Sequence, residues 1–429
     1  MTRVDARQDD LSPGNSAASR NPYLVLLRTP GAPAFSASAF VGRMSMSMYG
    51  LGTVLFIASL TGKYGTAGIV AGAGSIGYAL LSPYIAQLAD RYGQRRVLLV
   101  QVNAFTLASA IFIAAAELRA PFAALLALGT LAGGLMPSMS SMVRTRWSWL
   151  LSDDPRRLQS AFALESVNDE LIFVIGPALV TLLATQVFPA SGVGTASLLA
   201  ITGTLAFALL HRTEPTPRRK PTPGARTGRR LRGPSLPAAA LVALAPAFLA
   251  LGAMFVSVDL STVAFATERG HRPLAGFILG SYALSSAIGG LWYGSRHWRA
   301  SLGRRFLTTA ILAAAGAASF VAMPGLLALE CTCLVAGFAI APTLIASYAI
   351  LERQALPHRQ TEAMAWLGST ISIGVALGSA IAGHLLDAHG ARSGYVFGAC
   401  CGAVAVLICL IGRRRLATET APAELGVST

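Results

Sequence analysis

Apolar positions along this chain run in long unbroken stretches and do not alternate in twos, and short polar or glycine- and proline-rich breaks separate them. Twelve such stretches stand at about 36–61, 66–88, 97–117, 121–143, 159–187, 193–211, 238–265, 273–294, 305–323, 325–350, 362–386 and 394–412. Each is near the roughly 20 residues a helix needs to cross a hydrocarbon core. Continuous rather than alternating hydrophobicity selects helices over a barrel, the other way to satisfy the backbone in lipid. The breaks are turn-forming: Thr61-Gly62-Lys63, Arg119-Ala120-Pro121, Pro189-Ala190-Ser191-Gly192 and Met323-Pro324-Gly325.

Composition sharpens this picture. Hydrophobic residues make up 54% of the 429 and charged ones only 12%, about half the share in a soluble domain. One apolar core cannot absorb that deficit, so lipid must be the solvent for much of the surface. The net charge of +15 invites a nucleic-acid partner, but its distribution argues against one. Of 34 basic residues, 28 fall in the N-terminal segment, the loops after even-numbered spans and the C-terminal tail. Five (Lys63, Arg119, Arg269, Arg272, Arg392) lie in the opposite loops, and Arg43 lies inside span 1. The positive-inside rule then puts both termini in the cytoplasm and requires an even number of spans. The use of 32 Arg against 2 Lys, with abundant Ala and Gly, suggests a bacterial source and so an inner-membrane location. Residues 1–34 are polar and proline-broken, so no cleavable leader is expected. The five cysteines, Cys331, Cys333, Cys400, Cys401 and Cys409, sit in apolar runs and read as small hydrophobes.

The expected fold class is an all-α membrane protein with twelve transmembrane helices in two pseudo-symmetric six-helix bundles. Its parts are a tail at 1–34, a bundle at 35–211, a basic linker at 212–236, a second bundle at 237–412 and a tail at 413–429. The linker is basic and rich in proline and glycine, a solvated tether drawn to anionic lipid. An internal repeat supports the division. Arg157-Leu-Gln-Ser-Ala-Phe-Ala-Leu164 opens span 5 and Arg359-Gln-Thr-Glu-Ala-Met-Ala-Trp366 opens span 11, which maps span n onto span n+6.

After span 2 stands Ala86-Gln-Leu-Ala-Asp90-Arg91-Tyr-Gly93-Gln-Arg95-Arg96. This resembles the loop 2–3 signature of the major facilitator superfamily, with Ala86 in place of its first glycine and Gln94 at one basic position. The resemblance covers nearly the whole chain. It implies that Asp90, Arg91, Gly93, Arg95 and Arg96 form a gating motif in which Asp90 pairs with an Arg or a helix N-terminus. Arg144, at the inner end of span 4, is the candidate partner. Gly176-Pro177 in span 5 is similar to the core of a motif found in drug:proton antiporters, and equally reads as a plain helix kink.

Charges inside spans cost about 2.5–3.5 kcal/mol each at the bilayer centre, so each needs a partner or a task. Arg43 in span 1 and Glu165, Asp169 and Glu170 in span 5 stand at similar depth, and an ion pair from Arg43 to Glu165 or Asp169 is expected. One Arg cannot neutralise three acids, so at least one is left to titrate or to face cavity water. Asp259 in span 7 is the candidate proton or substrate-cation site of the second half, while Glu330 reads as solvated near the outer end of span 10. Trp147 and Trp149 read as interfacial anchors. Trp366 is expected at the cavity or the seam between bundles.

No phosphate-binding loop, metal-ligand cluster or nucleophile–His arrangement stands out, so no cofactor, metal site or enzymatic activity is expected. The expected partners are the bilayer, a small-molecule substrate and protons, with a monomer as the working unit and no nucleic acid. The leading expectation is a proton-coupled exporter of a small organic solute working by alternating access. A proton-coupled uptake symporter is the near alternative. A sensor or assembly protein that kept the fold without transport is the alternative of another class, disfavoured by the acids in spans 5 and 7.

Overall fold

The computed structural model describes residues 22–62, 64–217, 238–271, 274–356 and 359–413. Most of both tails and of the basic linker expected in the cytoplasm, with Lys63 and Arg272, lies outside the described residues. Twelve helical spans follow one another: Ala32–Thr61, Tyr64–Tyr92, Gln94–Glu117, Phe122–Leu150, Pro155–Gln186, Ser191–Leu209, Ala238–Glu268, Leu274–Ser295, Leu302–Ala322, Leu326–Gln354, Gln360–His389 and Ala391–Ile411. They are numbered 1 to 12 below. A short helix, Pro22–Leu27, precedes them. With an even number of spans both chain ends leave from one face, called here the terminal face; the other is the distal face.

The spans follow the hydropathy, with one instructive departure. Span 4 runs on to Leu150, well past the end of its apolar stretch, and carries Arg144, Arg146 and Trp147 into the protein interior. Two of the basic residues assigned to the loop after span 4 are therefore buried within the bundle. Trp147 is 1% exposed and not an interfacial anchor, whereas Trp149 remains 45% exposed. Hydropathy ends a span where polar residues begin, but helix continues wherever those residues find partners.

Spans 4 and 10, equivalent in the repeat, are both interrupted. Span 4 breaks at Met136-Pro137-Ser138 between Phe122–Leu135 and Met139–Leu150. Span 10 tightens to a 3-10 turn at Gly337–Ala339, just before Pro342. Proline removes a backbone donor and disturbs the turn before it. The Met136 carbonyl so released accepts from Gln101 Nε2 at 3.0 Å, and beside the break Ser138 Oγ lies 2.6 Å from Ser82 Oγ.

Helices in lipid gain little from hydrophobic exclusion between themselves, so small residues set how closely they pack. Spans 1 and 6 meet at Gly42 and Gly203, where a Cβ on Gly203 would stand 2.1 Å from the Gly42 nitrogen. Large apolar side chains face outward, as at Val100, Phe277 and Leu327. Cys331 and Cys400 are exposed on such surfaces, Cys401 is half-buried, and Cys333 and Cys409 are buried.

Candidate functional site

Span 5 begins with Asp154 accepting from the Arg156 and Arg157 amides at 3.2 and 3.1 Å, an N-cap ahead of Pro155. Glu165 and Asp169 then lie one turn apart on one face, and Glu170 points about 100° around the helix from Asp169. Glu165 is fully buried. It accepts from Ser36 Oγ at 2.7 Å and Trp147 Nε1 at 2.8 Å, and it pairs with Arg43 Nη2. Asp169 accepts from Arg43 Nη1 at 2.7 Å and from Arg144 Nη2 at 2.8 Å.

Arg43 thus bridges both acids, where the sequence pointed to one or the other. Two guanidinium groups and two carboxylates, drawn from spans 1, 4 and 5, make a charge-balanced quartet that is buried except at Asp169, whose side chain is 28% exposed. Arg144 completes it and packs 4.3 Å from the Tyr348 ring of span 10. That corrects its expected role as the partner of Asp90. Because span 4 continues to Leu150, Arg144 sits about 9 Å inside the helix end, too deep for the loop after span 2. The spacing of Arg144 and Trp147, three apart and so on one helix face, was the available signal. Arg146, also buried, donates to Gln94 Oε1 at 2.9 Å and to the Leu210 carbonyl at 2.9 Å, tying span 4 to spans 3 and 6.

Asp90 finds a helix N-terminus. Its Oδ2 accepts from the Glu362 amide at 2.9 Å and its Oδ1 from the Thr361 amide at 3.3 Å, across the seam between bundles at the start of span 11. The Glu362 carboxylate beside it is neutralised by Arg359, with Nε–Oε2 at 2.7 Å, and accepts from Gln87 Nε2 at 3.2 Å. Gly93, at φ +96, turns the chain into span 3, whose N-terminal Arg95 amide donates to Glu214 at 3.0 Å. A Cβ on Gly93 would lie 2.7 Å from that Glu214 oxygen. The Arg91 guanidinium stacks on its neighbour Tyr92.

The repeat builds the equivalent contact with reversed polarity. Span 8 ends without an Asp, and its last carbonyls are met by donors from the start of span 5. Ser160 Oγ donates to the Gly294 carbonyl at 2.8 Å, and Gln159 Nε2 to the Tyr293 carbonyl at 2.9 Å. Arg305 holds the Gln159 amide oxygen at 2.7 Å. Tyr23 of the short first helix adds a bond from its hydroxyl to the Leu291 carbonyl at 2.5 Å. Among the described residues, the side-chain hydrogen bonds joining the two bundles all lie in the terminal half or at mid-depth; the deepest is Ser286 Oγ to Glu170 Oε1, at 2.5 Å.

The remaining acids face the distal half. Asp259 is exposed although it lies about 14 Å inside the end of span 7. It has no hydrogen-bond or ion-pair partner among the described residues, and Glu170, Tyr282 and Cys333 lie within its electrostatic reach. Glu330, expected to be solvated, buries its Oε2 without a partner. Trp366 packs edge-on to Tyr84 of span 2 at 6.4 Å, on the seam. Gly176 packs against Ser47 and Met48 of span 1, and the span 5 helix continues through Pro177. Among the described residues no group of three His, Cys, Asp or Glu could hold a metal ion.

Two six-helix bundles joined by polar contacts near one face, with ionised groups inside the membrane, define a two-bundle membrane carrier. The chain belongs to the Major Facilitator Superfamily, whose family model matches residues 35–349 and 242–426. It is a multi-pass membrane protein of a family of secondary transporters. No curated protein matches its sequence. Among solved structures it is similar to the human organic anion transporter TETRAN, with a TM-score of 0.69 and 16% identity over 88% of this chain and 98% of that one. A bacterial homologue of the iron transporter ferroportin, in an outward-facing state, gives 0.68 and 16% over 89% and 98%. The Escherichia coli fucose:proton symporter gives 0.63 and 15% over 92% and 99%.

Proposed function

We propose that this protein is a proton-coupled secondary transporter that exports a small organic solute by alternating access, with both termini in the cytoplasm of a bacterial cell. The observation that carries the reading is the one-sided distribution of contacts between bundles. Hydrogen bonds latch the terminal half, while an unpartnered carboxylate stands exposed inside the distal half. A rocking carrier held open to the outside needs both features.

Asp90 serves this cycle as the latch of the cytoplasmic face. A carboxylate at the N-terminus of span 11 is attracted by the helix dipole and by two free amides. Opening that face takes both away, so the contact favours the outward-open state and must break at each turnover. The neutral quartet of Arg43, Arg144, Glu165 and Asp169 holds spans 1, 4 and 5 as one body. Glu170 and Asp259 are left as the proton-carrying groups, since each lacks a cationic partner. The Gly176-Pro177 pair in span 5 supports export over uptake through its similarity to the antiporter motif.

The test is proton flux in proteoliposomes across a panel of organic solutes. Addition of a transported solute should move protons in the opposite direction. Co-directional movement would make the protein an uptake symporter. No solute-dependent flux, together with spin-label distances that never change across the distal face, would remove transport altogether. Orientation follows from an impermeant thiol reagent on intact cells, with all native cysteines replaced: a cysteine at position 118 should react, and one at position 298 should not.

A further inference from the structure

We propose that Arg305 is a positioning residue at the terminal face. It fixes which end of the Gln159 side-chain amide points at span 8, and so decides whether spans 5 and 8 hold together there. This rests on the alternating-access reading and deepens its account of how that face closes.

The last carbonyls of an α-helix have no partner within the helix. Span 8 ends at Ser295, and the first bundle supplies donors to that end. Ser160 Oγ donates to the Gly294 carbonyl at 2.8 Å. Gln159 Nε2 donates to the Tyr293 carbonyl at 2.9 Å and to the Arg296 carbonyl at 3.3 Å. A serine hydroxyl can turn to donate, but an amide has one donor end and one acceptor end. Only one of its two orientations serves span 8. Flipped, Gln159 would set its oxygen against carbonyl oxygens at the negative end of a helix dipole.

Arg305 selects between the two. It stands one turn into span 9, is 8% exposed, and donates from Nη1 to Gln159 Oε1 at 2.7 Å. A guanidinium carries donors and no acceptor, so it holds the oxygen of the amide and never its nitrogen. The Gln159 NH2 is thereby left for span 8. Charge pairing does not explain this arginine, which forms no ion pair among the described residues. Its Nε is buried without a partner, so the surroundings are not arranged to satisfy the guanidinium. A buried cation so placed gains little from its site, and the contact that it does complete is the Gln159 oxygen.

The second bundle keeps the two grips in register. The Tyr293 and Trp298 rings lie 4.9 Å apart, and Trp298 Nε1 donates to the same Tyr293 carbonyl at 2.9 Å. The guanidinium carbon of Arg305 lies 5.5 Å from the Tyr293 ring centroid and 5.9 Å from that of Trp298. Acceptor carbonyl and orienting cation thus belong to one packed body, and Gln159 enters from the other. Span 9 takes the amide oxygen while the end of span 8 takes the nitrogen. Asp90 at the first contact needs no such device, because both oxygens of a carboxylate accept.

The experiment uses the full chain in nanodiscs, with spin-label distances between the terminal ends of spans 5 and 8 and thermal midpoints measured together. Arg305→Lys and Arg305→Glu can each make one charge-assisted hydrogen bond to Gln159, but only the lysine leaves the NH2 for span 8. Arg305→Lys should keep the closed distribution. Arg305→Glu turns the amide round, and the closed population should fall about tenfold or more, as for two lost hydrogen bonds. Adding a donor at the other position, as Gln159→Lys/Arg305→Glu, should restore closure. If Arg305→Glu does not fold, Arg305→Gln asks the same question without a buried anion and should lose closure a few-fold while Arg305→Lys does not. Equal closure in the lysine variant and in the folded glutamate or glutamine variant would overturn the positioning role. No recovery in the double variant would do the same. Asp90→Asn probes this face through the other contact. If it loosens the face and the variants at 305 do not, this inference alone fails. If no distance across either face ever changes, the alternating-access reading fails with it.

Discussion

The Asp90 carboxylate of one bundle accepts the backbone amide hydrogen of Glu362 in the other at 2.9 Å, so the two halves are held by a side chain on a helix end and not by an ion pair. The arginine expected to meet Asp90 is used elsewhere. A contact of this kind depends on charge and on the free amides of one first turn, and its loss would strand no buried cation.

Asp90→Asn keeps an acceptor and loses the charge. The contribution of a carboxylate at a partly buried helix N-terminus is about 1–2 kcal/mol. The variant should insert normally, lose several-fold in the population closed at the terminal face and transport more slowly. Distances between spin labels across the terminal face check this; an unchanged distribution with normal turnover would reduce Asp90 to a turn residue.

Arg43→Ala strands Glu165 and leaves Asp169 with Arg144 alone. Breaking one member of a buried ionic set costs about 3–5 kcal/mol, so folded yield should drop steeply. Removing Glu165 as well leaves Arg144 and Asp169 as a balanced pair, and Arg43→Ala/Glu165→Ala should recover folded protein. Arg43→Ala/Asp169→Ala should not, because Arg144 and Glu165 are then each alone. Size-exclusion profiles and thermal midpoints distinguish the two; equal rescue would mean the quartet does not act as a unit.

Gly294 lies where spans 5 and 8 meet at the terminal face, and a Cβ there would stand 2.3 Å from the Ala163 Cβ. Gly294→Val should wedge this face and bias the carrier toward opening on the terminal side. Gly203→Val, inside the first bundle against Gly42, should instead lower stability without a bias between faces. Thiol accessibility on each face, with thermal midpoints, separates the outcomes.

Tyr23→Phe removes the bond from the first short helix to the Leu291 carbonyl, a contribution of about 1 kcal/mol. A shift of a few-fold in the latched population is expected. Burial pushes the Tyr23 phenol up to about 12, so it remains a donor and the contact should not vary between about pH 6 and 9. A pH-dependent difference between wild type and Tyr23→Phe in that range would contradict this.

Twelve helices, their order and the duplicated plan were legible along the chain because the bilayer imposes one length and one chemistry on every span. The motif ending at Arg96 and the intramembrane charges were legible for the same reason, since each stands out against an apolar background. Three-dimensional packing decided the partners. Hydropathy stops span 4 at Val143, yet Arg144 and Trp147 continue it, because Asp169 and Glu165 on another helix compensate their polarity. Asp90 was visible as a group seeking a partner, and only the closure of the two bundles chose the first turn of span 11 over an arginine. The reversed latch at Gln159 and Ser160 carries no sequence signature, because its acceptors are backbone carbonyls that every residue possesses. Local sequence determines which groups need compensation in a membrane; the assembled bundle determines which distant group supplies it.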